Sequence, residues 1–335
     1  MSIIMTGGGT GGHLTIIKAV KEYLRDEELI YIGSLQGQDE KWFGEDNDFS
    51  AKYFLPTRGV VNQGLFGKIK SLWLVLKATI KSIQILRKHK ATVVFSVGGF
   101  SSAPTAFASK ILRIPLVIHE QNASIGSLNK LLKRFAYTFI SSYLEESPIK
   151  AYPIKEIFFQ NAHIREDVKT IIFLGGSQGA RAINNLALDL AQELQNRGIK
   201  IIHQAGEKNI DEVREAYKKI GVEAEVFGFT TKLDEYMNRG DLAIARSGAS
   251  TLWELSASAL PTLFIPYPYA SSDHQYYNAK FLVEKDLAWV MRENEIDINK
   301  ILVLLDKDLS KKSQGLMDII KRDGSKEIAN ALTQI

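Results

Sequence analysis

Two rhythms of apolar residues alternate along the chain. Ser2–Met5 and the run LIYIG (29–33) are short and β-favouring, whereas Leu14, Ile17, Val20 and Leu24 recur at helical spacing. Strand followed by helix, repeated, predicts parallel sheets joined by crossover helices. The pattern restarts near residue 170, where TIIFLGGSQGARAINNLALDLAQEL repeats the strand, glycine turn and helix of SIIMTGGGTGGHLTIIKAVKEYL. Each half carries a second such turn, VVFSVGGFSSAPTAFAS in the first and LAIARSGASTLWELSA in the second. The expected architecture is α/β, with two Rossmann-like parallel-sheet domains at residues 1–160 and 161–335 and a boundary in the irregular stretch around Tyr152–Asp167. In open α/β sheets the ligand crevice lies at the carboxyl ends of the strands. Two such domains facing each other would line one central cleft with four glycine turns.

Length and composition add little, but charge changes the picture. A chain of 335 residues suits two domains, and 45% apolar with 24% charged residues is the make-up of a soluble globular protein. With no cysteine, disulfides, thiol catalysis and cysteine-bound zinc are excluded. The N-terminus lacks the basic region and apolar stretch of a signal peptide, and no uncharged apolar run reaches 18 residues, so a cytoplasmic location is expected. Net charge is only +4, yet residues 49–144 hold 14 Lys and Arg against one acid, Glu120. That window carries a formal +13 and leaves −9 for the rest, which points to an anionic partner for the N-terminal half.

The first glycine turn, TGGGTGGHL (6–14), lies between a strand and a helix start, where backbone N–H groups can meet an anion. Gly7, Gly9 and Gly12 satisfy G-x-G-x-x-G, but a dinucleotide site also wants an acid after the second strand, and none occurs before Asp39. A P-loop needs Lys then Ser or Thr where this chain has His13 and Leu14. What remains is a glycine floor beside one titratable imidazole, or a tight turn with an incidental histidine.

Sharper phosphate signals lie in the second half. GGSQGAR (175–181) and RSGASTLWE (246–254) each follow a strand and open a helix. Ser177 can donate a hydroxyl with Arg181 nearby, and Gly248 lets the backbone approach a ligand. Ser250 and Thr251 offer hydroxyls, and Glu254 lies one turn on, where it can accept from sugar hydroxyls. Two helix N-termini plus hydroxyls can stabilise a diphosphate without a metal. Ser250 or Thr251 with Glu254 also reads as a capping arrangement, which is compatible with binding. A rival exists: Gly175–Gly179 matches the G-x-S-x-G nucleophile elbow, and Asp241 and His274 follow in triad order. That hydrolase reading leaves the mirrored turns of the first half unexplained. Metal sites are not expected, because the D-x-D pairs at Asp46–Asp48 and Asp306–Asp308 end no buried strand and the six histidines are scattered.

The stretch GLFGKIKSLWLVLKATIKSIQILRKHK (64–90) holds much of the positive charge. Leu65, Phe66, Ile69, Leu72, Trp73 and Leu76 recur at helical spacing, punctuated by Lys68, Lys70, Lys77, Lys81, Arg87, Lys88 and Lys90. A basic amphipathic helix with Trp and Phe suits an anionic phospholipid membrane surface, each Lys or Arg contributing about 1 kcal/mol. The alternative is a core-packing helix with a solvated basic face. Nucleic acid is disfavoured as a partner, because aliphatic residues rather than stacking aromatics interleave the charges.

Taken together, GGTGGH (8–13), HEQNASIGSLNK (119–130), GGSQGAR, RSGASTLWE and DHQYYNA (273–279) resemble the MurG family in order and spacing, across nearly the whole chain. The resemblance implies a GT-B glycosyltransferase fold. It implies a first domain for the acceptor and the membrane, a second for UDP-GlcNAc, and a last helix that packs back on the first. The implied reaction is inverting transfer of GlcNAc from UDP-GlcNAc to the 4-hydroxyl of the MurNAc of lipid I, giving lipid II for peptidoglycan. It implies no cofactor, a peripheral place on the cytoplasmic face of the cell membrane, and contacts with cell-wall synthesis and division proteins.

Inversion needs a base on one face of the sugar and preorganised dipoles on the other, where UDP gains charge. Carried over from the family, Thr10, Gly11 and Gly12 line the floor facing the sugar. His13 is the candidate base, with Glu120 the second. Asn122 and Arg165 match positions that contact the donor, and Ser177 meets the diphosphate. Phe229 and Thr230 border uracil, the latter through its backbone. Ala249, Ser250, Thr251 and Glu254 hold phosphate and ribose, while His274 and Gln275 meet GlcNAc hydroxyls. Two departures stand out. Phe100 replaces a tyrosine common in the family, and QNAHIRED (160–167) replaces Gly-Asn-Pro before the arginine.

Overall fold

Six parallel strands run through each half of the computed structural model, which describes residues 1–59, 64–176 and 178–335, without the side chains of Leu65, Phe66 and Lys68. The first sheet comprises β1 (Ser2–Thr6), β2 (Glu28–Ser34), β3 (Ala51–Leu55), β4 (Val93–Ser96), β5 (Leu116–Glu120) and β6 (Thr138–Ser141), in the order β3-β2-β1-β4-β5-β6. The second comprises β7 (Thr170–Leu174), β8 (Lys200–Gln204), β9 (Glu225–Phe227), β10 (Leu242–Ala245), β11 (Thr262–Phe264) and β12 (Trp289–Val290), in the order β12-β11-β10-β7-β8-β9. Counted from its own first strand, each sheet has the same doubly wound order. Its switch point lies between β1 and β4 in one and between β7 and β10 in the other. Ile4 pairs with Ile30 and Val94, and Ile172 with Ile202 and Ala243.

Central strands such as β1 (SIIMT) and β4 (VVFS) are buried at every position, which is why they read as unbroken β-favouring runs rather than alternating ones. Helices cover both faces. Arg181–Asn196 turns Ile183, Leu186, Ala187, Leu190 and Leu194 into the second core at the three-and-four spacing the sequence displays. His203 in β8 is buried there, its ring nitrogens 3.0 Å from the Tyr217 hydroxyl and 3.1 Å from Asn184 Oδ1. Burial pushes its pKa down to about 4.

The chain divides into two units, Met1–Lys155 together with Asp323–Ile335, and Glu156–Arg322. The stretch read as irregular contains a short helix, Ile157–Gln160, just past the crossing point. Helix Gly324–Thr333 belongs to the first unit, where it packs against the helix Gly11–Lys21. Its entry is tight: a Cβ on Gly324 would stand 2.5 Å from the Tyr152 carbonyl oxygen, and Ser325 Oγ donates to the Ile154 carbonyl at 3.1 Å.

Candidate active site

In the first unit the switch-point loops are Gly7–Gly9 with Thr10 after β1, and Val97–Ser102 after β4. Gly9 has a φ of +84°, and a Cβ there would stand 2.6 Å from the Phe100 ring, so the loop needs glycine on both conformational and steric grounds. The Phe100 ring packs on the loop through this contact. Thr10 is the N-cap residue of helix Gly11–Lys21, yet its hydroxyl lies 2.9 Å from His13 Nδ1 instead of bonding the backbone. If Nδ1–H donates to Thr10, Nε2 carries the lone pair a base requires. Nε2 borders the loop after β4, 3.4 Å from where a Cβ on Gly99 would stand.

Other expected residues of the first unit take different roles. Glu120, offered as the second base, is buried with both carboxylate oxygens occupied. Oε1 accepts from the Asn122 backbone N–H at 3.0 Å, and Oε2 from Gly126 N–H and Asn129 Nδ2, each at 2.9 Å. It therefore shapes the 120–129 loop, which seats Asn122, and is poorly placed to take a proton from substrate. His119, one residue earlier, is fully buried, and burial with His13 nearby holds its pKa at about 3. It stays neutral at physiological pH.

Arg165, in the second unit, departs furthest from expectation. Only 1% exposed, it donates through Nε to the Gly240 carbonyl at 3.2 Å, and through its terminal nitrogens to the carbonyls of Met237 at 3.2 Å, His163 at 2.9 Å and Ser258. Burial, offset in part by Asp241, lowers its pKa to about 10, so it remains charged. These partners precede β7 and β10 or follow the helix Ala249–Ala257, which places the guanidinium at the amino ends of the strands. Expected to touch the donor, it instead ties that end of the sheet together.

The carboxyl ends of the second sheet open onto a cavity. Its volume is about 390 Å³, and it is lined by Gly175, Gly179, Ala180, Arg181, Ala182, Arg246, Tyr267, Gln275 and Glu293. Gly179 has a φ of +78°, and a Cβ there would stand 2.5 Å from the Ala205 carbonyl. Ser177, expected on the diphosphate, lies outside the described residues. Arg246 is held by the Ile265 and Pro266 carbonyls at 3.0 and 3.1 Å and is paired with Glu293. Its guanidinium sits 5.5 Å from the Tyr267 ring centroid. Gln275 Oε1 accepts the Tyr267 N–H at 2.9 Å, so the amide N–H groups are what it can offer a ligand. Arg246 opens a motif the sequence singled out, but its pairing with Glu293 had no local signal.

Other predicted donor residues lie on loops at the same ends of their strands. Helix Ala249–Ala257 begins directly after Gly248 with no side-chain cap, so Ser250 and Thr251 sit in its first turn and the capping arrangement is not formed. Both are half-buried, as is Glu254, which lies on the Ser250 face one turn on. Asn278 Nδ2 donates to the Ser247 carbonyl at 3.1 Å and secures the loop after β10. Phe229 is 44% exposed after β9, and Thr230 Oγ1 accepts the Lys232 N–H at 3.0 Å. His274 Nδ1 lies 2.8 Å from the Ser271 carbonyl.

The hydrolase reading fails on distance. Asp241 Oδ2 accepts the Lys169 and Thr170 N–H groups at the start of β7, whereas the 175–179 turn follows its end. Five strand residues at about 3.3 Å each put about 15 Å between acid and elbow.

The basic stretch forms the helix Leu65–Lys88, inverted in polarity as far as Ser82 while Ile85 and Leu86 near its end are buried in the first core. Ser71, Ala78, Thr79 and Ser82 face inward, while Ile69, Leu72, Trp73, Leu76 and Ile80 are each more than half exposed, beside exposed Lys70 and Lys77. This is not a core-packing face. Among the described residues no helix is long and apolar enough to cross a membrane.

Two sheets of this order, with glycine turns at both switch points, have the GT-B architecture, and the family models make the chain a glycosyltransferase. Residues 3–140 match the glycosyltransferase family 28 N-terminal domain and residues 170–333 the family's C-terminal domain. The chain belongs to that family and, within it, to the MurG family its motifs resemble. A UDP-N-acetylglucosamine–N-acetylmuramyl-(pentapeptide) pyrophosphoryl-undecaprenol N-acetylglucosamine transferase from Sulfurovum sp. is 72% identical over 332 residues, 99% of this chain and 98% of that protein. The protein of that name from Sulfurimonas denitrificans is 54% identical over 330 residues, covering 98% and 97%. A crystal structure of Acinetobacter baumannii MurG has the same fold, with a TM-score of 0.82 at 24% identity over 100% of this chain and 99% of that one.

Proposed function

We propose that this chain transfers GlcNAc from UDP-GlcNAc to the 4-hydroxyl of the MurNAc of lipid I, with inversion, and so makes lipid II. One observation carries the reading: the 72% identity to a transferase of that name runs through the full length of both proteins. Within the first unit, His13 Nε2 takes the proton of the acceptor hydroxyl, with Thr10 fixing the ring and Gly11 and Gly12 leaving room for the sugar. As the hydroxyl oxygen bonds to the anomeric carbon, the bond from that carbon to the diphosphate breaks and UDP departs with the electron pair. In the second unit, the 175–181 turn, Arg181, Arg246 and the start of helix Ala249–Ala257 receive that charge, Glu254 accepts from ribose hydroxyls, and Gln275 donates to GlcNAc. Protein dipoles and guanidinium groups then perform the electrophilic role, with no metal required. The exposed face of helix Leu65–Lys88 supports peripheral docking on an anionic, cytoplasmic membrane surface, where the undecaprenyl acceptor resides.

The test is UDP release from a panel of UDP-sugars, with and without short-chain lipid I and with and without EDTA. Release from UDP-GlcNAc only when lipid I is present, unchanged by EDTA, is the expected result. Acceptor-independent release or none at all refutes the reaction, and loss with EDTA refutes its metal-free chemistry.

A further inference from the structure

The first glycine loop already holds an anion supplied by the protein. Asp39 opens the helix Asp39–Phe43 just after β2 and has no exposed surface. Its Oδ1 accepts the Gly9 N–H at 2.5 Å and its Oδ2 the Ser34 N–H at 2.9 Å. The Tyr31 and Ser101 hydroxyls lie beside it, and Tyr31 also donates to the Gly7 carbonyl at 2.9 Å. A Cβ on Gly8 would stand 2.5 Å from Oδ1, so the loop is moulded around this carboxylate. Burial raises its pKa against the opposing pull of the Gly9 and Ser34 bonds. In other proteins of this topology an acid after the second strand reaches out to a ribose, and the loop amides bind phosphate. Here the acid turns inward and meets the loop amide itself.

We propose that Asp39 is a resident anion that occupies the Gly9 amide as a ligand phosphate would and, through it, fixes Thr10 and His13 for the transfer step. The proposal rests on the reading of His13 as the proton acceptor. Asp39 is a positioning residue, reaching the chemistry only through Gly9 and the residues that follow it. By the same contact it withholds the Gly9 amide from any ligand anion.

Asp39→Ala leaves a carboxylate-sized gap faced by two N–H donors, which formate can refill. Steady-state transfer with short-chain lipid I, UDP-GlcNAc affinity by calorimetry, and thermal midpoints are measured for wild type and variant, each with and without formate. The variant is expected to lose about tenfold to a hundredfold in kcat with UDP-GlcNAc affinity held within about twofold. Formate is expected to restore part of that kcat and raise the midpoint of the variant, and to leave wild type unchanged. An unaffected kcat, a parallel loss of kcat and donor affinity, or a folded variant indifferent to formate overturns the proposal. Should Asp39→Ala not fold, Asp39→Asn is read by the same split between kcat and donor affinity. If neither folds, with or without formate, the carboxylate is a folding element only and the proposal falls. The formate effect on the midpoint does not involve His13, so a failure of the base assignment, seen as an active His13→Ala enzyme, remains distinguishable.

Discussion

The loops after β1 and after β7 occupy equivalent places in two sheets of identical order, yet one is filled from within and the other opens onto a cavity. After β2, Asp39 turns back and binds the Gly9 amide. At the same offset after β8 stands a neutral side chain, Asn209, which donates to the Ala205 carbonyl at 3.4 Å and packs against Gly179, while the 175–180 turn borders the arginine-lined cavity. Topology places glycine turns at the carboxyl ends of strands in both units. The side chain that the next strand's turn supplies is an acid in the first unit and a neutral amide in the second, and only the acid takes a loop amide.

The comparison can be broken or sharpened by substitution. The largest effect is expected from His13→Ala, which should lower kcat by about 10²–10⁴-fold while UDP-GlcNAc affinity holds. A collapse of donor affinity with kcat spared would move His13 out of the first loop's chemistry and into donor binding. Next comes Arg165→Met, which takes a charged donor from four carbonyls and leaves those of Gly240 and Ser258 without their side-chain partner, and should cost about 3 kcal/mol or more in denaturant unfolding, with donor KM unchanged in the folded fraction. A stable variant with a raised donor KM would return Arg165 to the donor site. Glu254→Gln should raise the KM for UDP-GlcNAc by about tenfold to a hundredfold without moving that for lipid I, as loss of a charged hydrogen-bond acceptor predicts. Equal shifts in both would deny the second unit its exclusive claim on the donor.

Smaller still is the combined Lys70→Gln and Lys77→Gln change, which should weaken sedimentation with phosphatidylglycerol vesicles by about thirtyfold at about 1 kcal/mol per charge. Unchanged binding would leave the helix Leu65–Lys88 without its membrane role.

The smallest effect at neutral pH is a shared one. Each unit buries a neutral histidine, His119 with a pKa of about 3 and His203 of about 4, both below the unfolded value. The unfolded chain therefore binds protons that the fold refuses. Stability should be level above about pH 6.5 and fall as pH drops from there toward 4. A midpoint that holds level across that window would contradict the burial of both rings.

Much of this was legible in the sequence for physical reasons. Strands buried on both faces read as unbroken β-favouring runs, and glycine turns before helices mark the carboxyl ends, so the repeated sheet order could be inferred from residues alone. Local motifs likewise located Thr10, His13, Gln275 and the Ala249–Glu254 turn. Side chains acting across the chain left no periodic trace. Asp39 was noted only as an acid too late for a ribose, because nothing local says which way it turns. Arg165 matched a position in a motif, while its burial depends on carbonyls some 70 to 90 residues away. The outward apolar face of Leu65–Lys88 was ambiguous too, since helical spacing is the same whichever side meets the core.

Helix Gly324–Thr333 gives the first unit an unusual order of manufacture. On the ribosome the second unit emerges entire before the segment that covers the helix Gly11–Lys21 has been made, although that helix starts near the beginning of the chain. A message cut short before Gly324 would thus yield a finished second unit beside an unfinished first one, and the scaffold beneath His13 would be the part left incomplete.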